Sequence, residues 1–415
     1  MAGTPRVLRA MNDRAALDLL LEHGPLSRTR LGRLTGLSKP TASQLLARLE
    51  AAGLVVATGT GADEPRDGGP GTGGSGTGRP GPNAQLYAVD PTAAYAAGLD
   101  VTPERVLAAV ADITGRTVGE FAVPTPGRRP AEPVVRQVTA ALDGAAKAAG
   151  LVRSDVRRLV IGTPGAFDPN TGRLRYASHL PGWHSPALLG ELAAALPMPV
   201  EYENDVNLAA LAEQRLGAAR GHEDFVLLWN EGGLGAAVIL GGRLHRGFTG
   251  GAGEVGFLPV PGVPLVRQVT KANSGGFQEL AGSQIIPRLA RELGISPIPK
   301  GPYTEVAAEL VARAAADPGS GPHRRLLATY ATGLATGIAA LVAVLDPELV
   351  VLSGTALTAG GEPLRALVEA ELAELAASRP RLVLGDVREH PVLRGALESA
   401  LTATRDEVFD TLTLR

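Results

Sequence analysis

At 415 residues the chain exceeds what a single hydrophobic core supports, and two or three domains are expected. Apolar residues make up 45% and charged residues 20%, a globular balance, while the absence of cysteine excludes disulfides, thiolate nucleophiles and cysteine-held zinc. The formal charge of −2 conceals a division: residues 1–58 hold eight Lys/Arg against four acids, and the rest of the chain is net acidic, so contact with a polyanion is expected only at the front.

Three short helical patterns come first, near residues 8–22, 27–34 and 39–52. No secretory h-region precedes them and no uninterrupted run of 18 apolar residues occurs, so a cytoplasmic protein without a membrane span is expected. In "SKPTASQLLARLE" (38–50) Ser38 stands where an N-cap belongs and Pro40 falls in the first turn. Ala42, Leu45, Leu46 and Leu49 form one apolar stripe. Lys39, Thr41, Ser43, Gln44 and Arg48 are left pointing outward. The preceding "LSRTRLGRLTGLS" reads as a helix with Leu31 and Leu34 inward, ended by a turn at Gly36.

Helix, glycine turn and a second helix with a polar outer face form the helix-turn-helix pattern. Thr41 and Gln44 suit base edges and Lys39 and Arg48 suit phosphates or guanine, with Ser38 and Ser43 on the same edge. Residues 54–58 and 85–89 read as the two strands of a wing. Between them Gly59–Asn83, dominated by glycine, proline and small polar residues, is a flexible tip or linker, with Arg79 a candidate minor-groove probe. Small helical trios also serve as dimerisation or peptide-binding modules; spacing, charge and wing together favour DNA.

The larger part alternates strands and helices. "AAGLDV", "RVLAAVAD" and "RTVGEFAV" read as three strands, followed by a helix at about 131–149 and the strand "RRLVIGTPGAF". "DFVLLWN" and "GAAVILGG" read as a hairpin. Helices near 276–293, 304–316, 323–345, 363–378 and 392–408 follow, with "LVVLSG" and "RLVLGDV" as strands between them. No repeat of 20 to 50 residues is visible. Two halves that each open with antiparallel strands and continue into βα units predict a two-lobed α/β fold with a ligand in the cleft.

Five segments in order, "GTPGAFDPNTGRL" (162–174), "LPGW" (180–183), "ENDVNLAALAE" (203–213), "GGLGAAVILGGRLHRGFTGGAGEVG" (232–256) and "LDPELVVLSGTA" (345–356), resemble the ROK family (repressors, open reading frames and kinases). The resemblance runs from about residue 85 to the C-terminus. It implies the actin-like ATPase (RNase H-like) fold in residues 91–415, behind a winged helix-turn-helix in residues 1–90, the organisation of the family's regulators. In the family's kinases the Asp of the Asn–Asp pair is the general base toward the sugar hydroxyl; that pair is Asn204–Asp205 here. Glu254 and Glu279 fall on two further sugar-binding carboxylates, His179 stands where relatives often place an Asn that contacts the sugar, and Gly165 is a further ligand-binding candidate. Asp205 could equally be a helix N-cap and Glu254 a surface acid.

The departures from the family's kinases point away from phosphoryl transfer. Their first strand ends in an Asp followed by two glycines and a Thr, whose amides approach ATP phosphates. Here Asp100 is followed by "VTPERV": a proline lacks the N–H, and Glu104 repels a triphosphate. The second phosphate loop, "NEGGLG" (230–235), carries Glu231. The family's zinc His is Phe257 and its three cysteines are missing, so no metal and no cofactor are expected.

The reading is a DNA-binding regulator, a repressor, with Asp205 a vestigial base. It senses a sugar or sugar-like metabolite and acts as a homodimer or tetramer on a palindromic double-stranded operator. Two alternatives stay open: an ATP-dependent sugar kinase carrying a DNA module, and a regulator without a small-molecule ligand.

Overall fold

The computed structural model of the protein describes residues 5–61, 84–125, 133–168, 170–171, 173–175, 180, 182–183, 185, 187–267, 275–317 and 319–410. Arg79 and His179 lie outside these residues.

Helix α1 (Pro5–His23) buries Ala16, Leu17 and Leu20. After the two-residue strand β1 (Leu26–Ser27), the Ser27 hydroxyl accepts the Arg30 amide at 3.1 Å and starts α2 (Arg28–Thr35). Gly36, at φ 70, ends it in the left-handed conformation that glycine adopts most readily. Ser38 accepts the Thr41 amide and starts α3 (Lys39–Ala51), whose Ala42, Leu45, Leu46 and Leu49 are buried as their spacing predicts. Leu34, expected inward with Leu31, is instead 41% exposed. Helix α2 is only eight residues long, and its last turn runs past the edge of the core.

The wing strands are β2 (Val55–Gly61) and β3 (Ala84–Val89), paired antiparallel. Strand β1 adds to the free side of β3, giving the order β1-β3-β2. A two-residue strand has too little pattern to be legible in sequence.

The first lobe opens with the meander β4 (Tyr95–Val101), β5 (Arg105–Asp112) and β6 (Thr117–Pro124). Helix α4 (Val134–Ala148) packs on it and β7 (Val156–Thr163) runs parallel to β4. The short ribbon β8 (Ala166–Asp168) and β9 (Arg173–Arg175) follows, then α5 (Leu188–Ala195), β10 (Val200–Asn204) and α6 (Asp205–Leu216).

The second lobe contains β11 (Phe225–Asn230), β12 (Leu234–Leu240) and β13 (Arg243–Leu244), then α7 (Gly276–Ala281) and α8 (Ile286–Glu292). It continues through α9 (Tyr303–Ala316), α10 (Gly321–Leu345), β14 (Leu349–Ser353), α11 (Thr355–Leu375) and β15 (Arg381–Leu384). The predicted helix 276–293 is broken at Gly282, where a single 3-10 turn intervenes. The helix expected over 363–378 starts at Thr355 and kinks at Gly361, two residues before Pro363, a break that carries the local signal of a helix start. Helix α10 is long and apolar enough to cross a membrane, but Leu326, Tyr330, Leu334 and Ile338 on its inner face form the core of this lobe.

The two main sheets, β6-β5-β4-β7-β10 and β13-β12-β11-β14-β15, repeat one pattern: two antiparallel pairings, then two parallel ones. This duplication exists in topology without a matching sequence repeat.

Helix α12 (Pro391–Asp410) returns to the first lobe and packs on α6, β4 and β7. Gly395 permits this, because a Cβ there would lie 1.8 Å from the Leu208 carbonyl oxygen on α6. At its far end Phe409, 2% exposed, joins Ala16, Leu17, Leu20 and Leu49 in the core of the N-terminal module. Arg14 lies 5.3 Å over the Phe409 ring and pairs with Asp406 at 2.8 Å.

The chain passes between the lobes at 217–224 and again at 385–390. Glu213, fully buried at the end of α6, ties both passages together. Its carboxylate accepts the Ala218 amide (2.8 Å) from one, and the Asp386 (3.1 Å) and Val387 (2.9 Å) amides from the other.

Candidate functional site

A cleft of about 970 Å³ opens between the lobes. Asn204 ends β10 and caps α6: its side-chain oxygen accepts the Val206 (2.9 Å) and Asn207 (3.1 Å) amides, and its amide nitrogen donates to the Gly165 carbonyl at 3.0 Å. Asn204 therefore welds the Gly165 loop to the head of α6. Asp205 follows on the cleft wall, its Oδ1 accepting the Val206 amide at 2.9 Å. Part of its surface meets the cleft, yet protein encloses it on every other side. Burial pushes its carboxyl up to about 7, against the pull of the Val206 amide and with the help of the charges on Asp100 and Glu254. Burial also raises Glu254 and Asp100 above the usual carboxylate range, the latter against the pull of Arg105 and His390.

Asn204, Asp205, Glu254 and Gly165 thus line one cavity, and Phe257 lines it with them. Glu279 does not. It turns toward α8 and pairs with Arg288 at 3.1 Å, while its neighbour Gln278 faces the cleft and accepts the Leu234 amide at 2.6 Å. Helix α7 has only six residues, and tertiary contacts rather than spacing decide which of two adjacent side chains faces inward.

Both loops expected to meet a nucleotide are occupied by the chain's own groups. In the first, the Thr102 hydroxyl accepts the Glu104 and Arg105 amides at 3.3 and 3.2 Å, and Pro103 offers none. In the second, the Glu231 carboxylate accepts the Thr355 amide (2.9 Å) and the Thr355 hydroxyl at the head of α11. A helix N-terminus is a ready anion site, and here an internal carboxylate fills it. Tyr303 closes the same loop by donating to the Gly232 carbonyl at 2.6 Å. Among the described residues no group of three His, Asp or Glu converges as a metal site would require.

On α3, Ser38, Lys39, Thr41 and Gln44 are exposed. Ser38 and Thr41 bind each other through their hydroxyls (2.8 Å), and Ser43 is held by Lys39 and Arg28. Arg48, expected to face outward, is half-exposed and pairs with the buried Asp13 of α1 at 2.6 Å, bracing α3 against α1. Sequence reasoning missed Arg105 and His390, which meet at 3.4 Å in the cleft, and Glu213. Arg105 and His390 are 285 positions apart, so no local pattern could pair them.

Comparison with known proteins matches residues 96–402 to the ROK family and residues 11–64 to the MarR family. The chain is 35% identical over 214 residues to the bifunctional enzyme NanE/NanK of Brucella suis biovar 1, a match covering 51% of this chain and 36% of the enzyme. It therefore spans about a third of that relative's length. The putative xylose repressor of Caldicellulosiruptor sp. is 25% identical over 360 residues, covering 85% of both chains. A crystal structure of a ROK family transcriptional regulator, a homologue of the E. coli MLC protein, superposes with a TM-score of 0.69. It covers 98% of each chain at 19% identity, which establishes the shared two-part fold.

Proposed function

The chain belongs to the ROK family, and on that premise we propose that it is a transcriptional repressor that binds a palindromic operator through α3 and releases it when a sugar occupies the cleft. One observation carries this reading: a MarR-like module is joined to a cleft that keeps Asp205 and Glu254 while both of its phosphate loops are closed by Thr102, Glu231 and Tyr303. Polar acids that accept hydroxyls suit a polyol, and a first loop whose amides are spent on Thr102, with a proline among them, does not hold a triphosphate. Lys39, Thr41 and Gln44 present the donors and acceptors that base edges and phosphates require. A homodimer supplies the twofold symmetry that a palindrome needs.

Footprinting on the DNA upstream of the chain's own gene tests the reading, with xylose and a set of hexoses as additives; xylose enters because of the relative named above. A protected inverted repeat that opens with one sugar is the expected result. No protection on any upstream DNA would overturn it.

A second reading, a sugar kinase with a DNA module, is favoured by one feature: the Asp205 carboxyl, raised to about 7, has the environment of a general base. ATP-dependent phosphorylation of a hexose, lost in Asp205→Asn, would establish that reading instead.

A further inference from the structure

We infer that the cleft recognises an anionic sugar, its hydroxyls on the acids around Asp205 and its carboxylate or phosphate on Arg105 and His390. This rests on the sensor reading above and names the chemical class of its ligand.

The cleft is graded in charge. Asp100 and Glu254 both act on Asp205 at one end; Arg105 and His390 act on Asp100 at the other, and Arg388 lines the same wall. Arg105 reaches His390 Nδ1 at 3.4 Å and Asp100 at 3.9 Å. A guanidinium can only donate, so Nδ1 accepts and the imidazole proton sits on Nε2. The pair therefore offers an anion both guanidinium and imidazole N–H groups. Asp100 lies 3.9 Å from Arg105, too far for a hydrogen bond, so the guanidinium N–H groups are not spent on it. Glu104, the acid on the same rim, is solvent-exposed and screened.

Two features of the backbone reinforce the assignment. His390 stands at φ 48, a conformation that few residues other than glycine adopt, held at the wall of a cavity. It immediately precedes α12, so the positive end of a 20-residue helix dipole falls at the same spot. A neutral sugar has no use for the Arg105 and Arg388 guanidiniums and a helix N-terminus gathered on one wall.

Calorimetric titration of the full chain with matched sets tests the inference: glucose, glucuronate and glucose 6-phosphate, with the galactose and mannose equivalents. In one series the anionic sugar is expected to bind at least about tenfold more tightly than the neutral one, the advantage shrinking as salt is raised. Preference for the uronate over the phosphate, or the reverse, identifies the source of the charge. Arg105→Gln and, separately, His390→Asn (which tolerates the backbone) are expected to bring the anionic sugar down to the affinity of the neutral one, and Arg105→Lys to retain part of the difference. Neutral and anionic sugars binding equally would overturn the inference and leave the sensor intact. So would an advantage that survives both substitutions. Binding of none of these sugars, nor of xylose titrated alongside them, would remove the sensor reading itself.

Discussion

Asp205 keeps its proton in the folded protein up to about pH 7, whereas the unfolded chain releases it near 4. Between these values the folded form binds more protons, so this group's contribution to stability is fully present at low pH and is lost as the pH rises through 7. Asp205→Asn is therefore expected to flatten the pH dependence of unfolding between pH 5 and 8. It should also stabilise the empty protein at pH 8, on the order of 2 kcal/mol given the access of water from the cleft. Urea unfolding at the two pH values measures this; parallel curves for both proteins would refute the burial argument. Raised carboxyls at Glu254 and Asp100 leave a residual slope of the same sign. The position of Asp205 was legible from the resemblance of Asn204–Asp205 to the family's Asn–Asp pair, whereas the N-cap role that the sequence also allowed Asp205 belongs to Asn204. The roles of Glu279 and Arg105 were not, because one turns on the register of a six-residue helix and the other on His390, a partner 285 positions away just before the last helix.

Helix α3 shows the same division at the next scale. Its cap, turn and buried stripe follow from residue spacing alone, but its outer face is not uniformly free. Asp13, 8% exposed, holds Arg48, so Arg48→Ala strands a buried acid and is expected to lower the unfolding midpoint as well as DNA affinity. Gln44→Ala touches nothing buried. It should weaken specific binding by about 1–3 kcal/mol at an unchanged midpoint. Fluorescence anisotropy on the footprinted site, paired with thermal melts, separates the two; equal melting losses would place Gln44 in the fold rather than the interface. Strands β4 to β7 were likewise legible from composition. Helix α11 was misplaced because a kink at Gly361 before Pro363 carries the same local signal as a helix start.

At the scale of the whole molecule the two lobes are joined through Glu213. Its oxygens serve three amides from both passages of the chain, and glycines at 217 and 385 are spaced so that any Cβ would collide with it. Glu213→Gln replaces an acceptor with a donor facing those amides and is expected to cost about 2 kcal/mol although the shape is preserved. Chemical denaturation reads this directly, and a change under about 0.5 kcal/mol would remove Glu213 from the junction. Such a tie was invisible in the sequence, where Glu213 looks like the end of an ordinary amphipathic helix.

The longest-range consequence belongs to α12. Its first residues line the cleft and Phe409 near its last turn is embedded among Leu17, Leu20 and Leu49. Twenty helical residues measure about 30 Å. Pivoting this rod by about 5° at the cleft would carry its tip, and the N-terminal module packed around it, by roughly 2.5 Å.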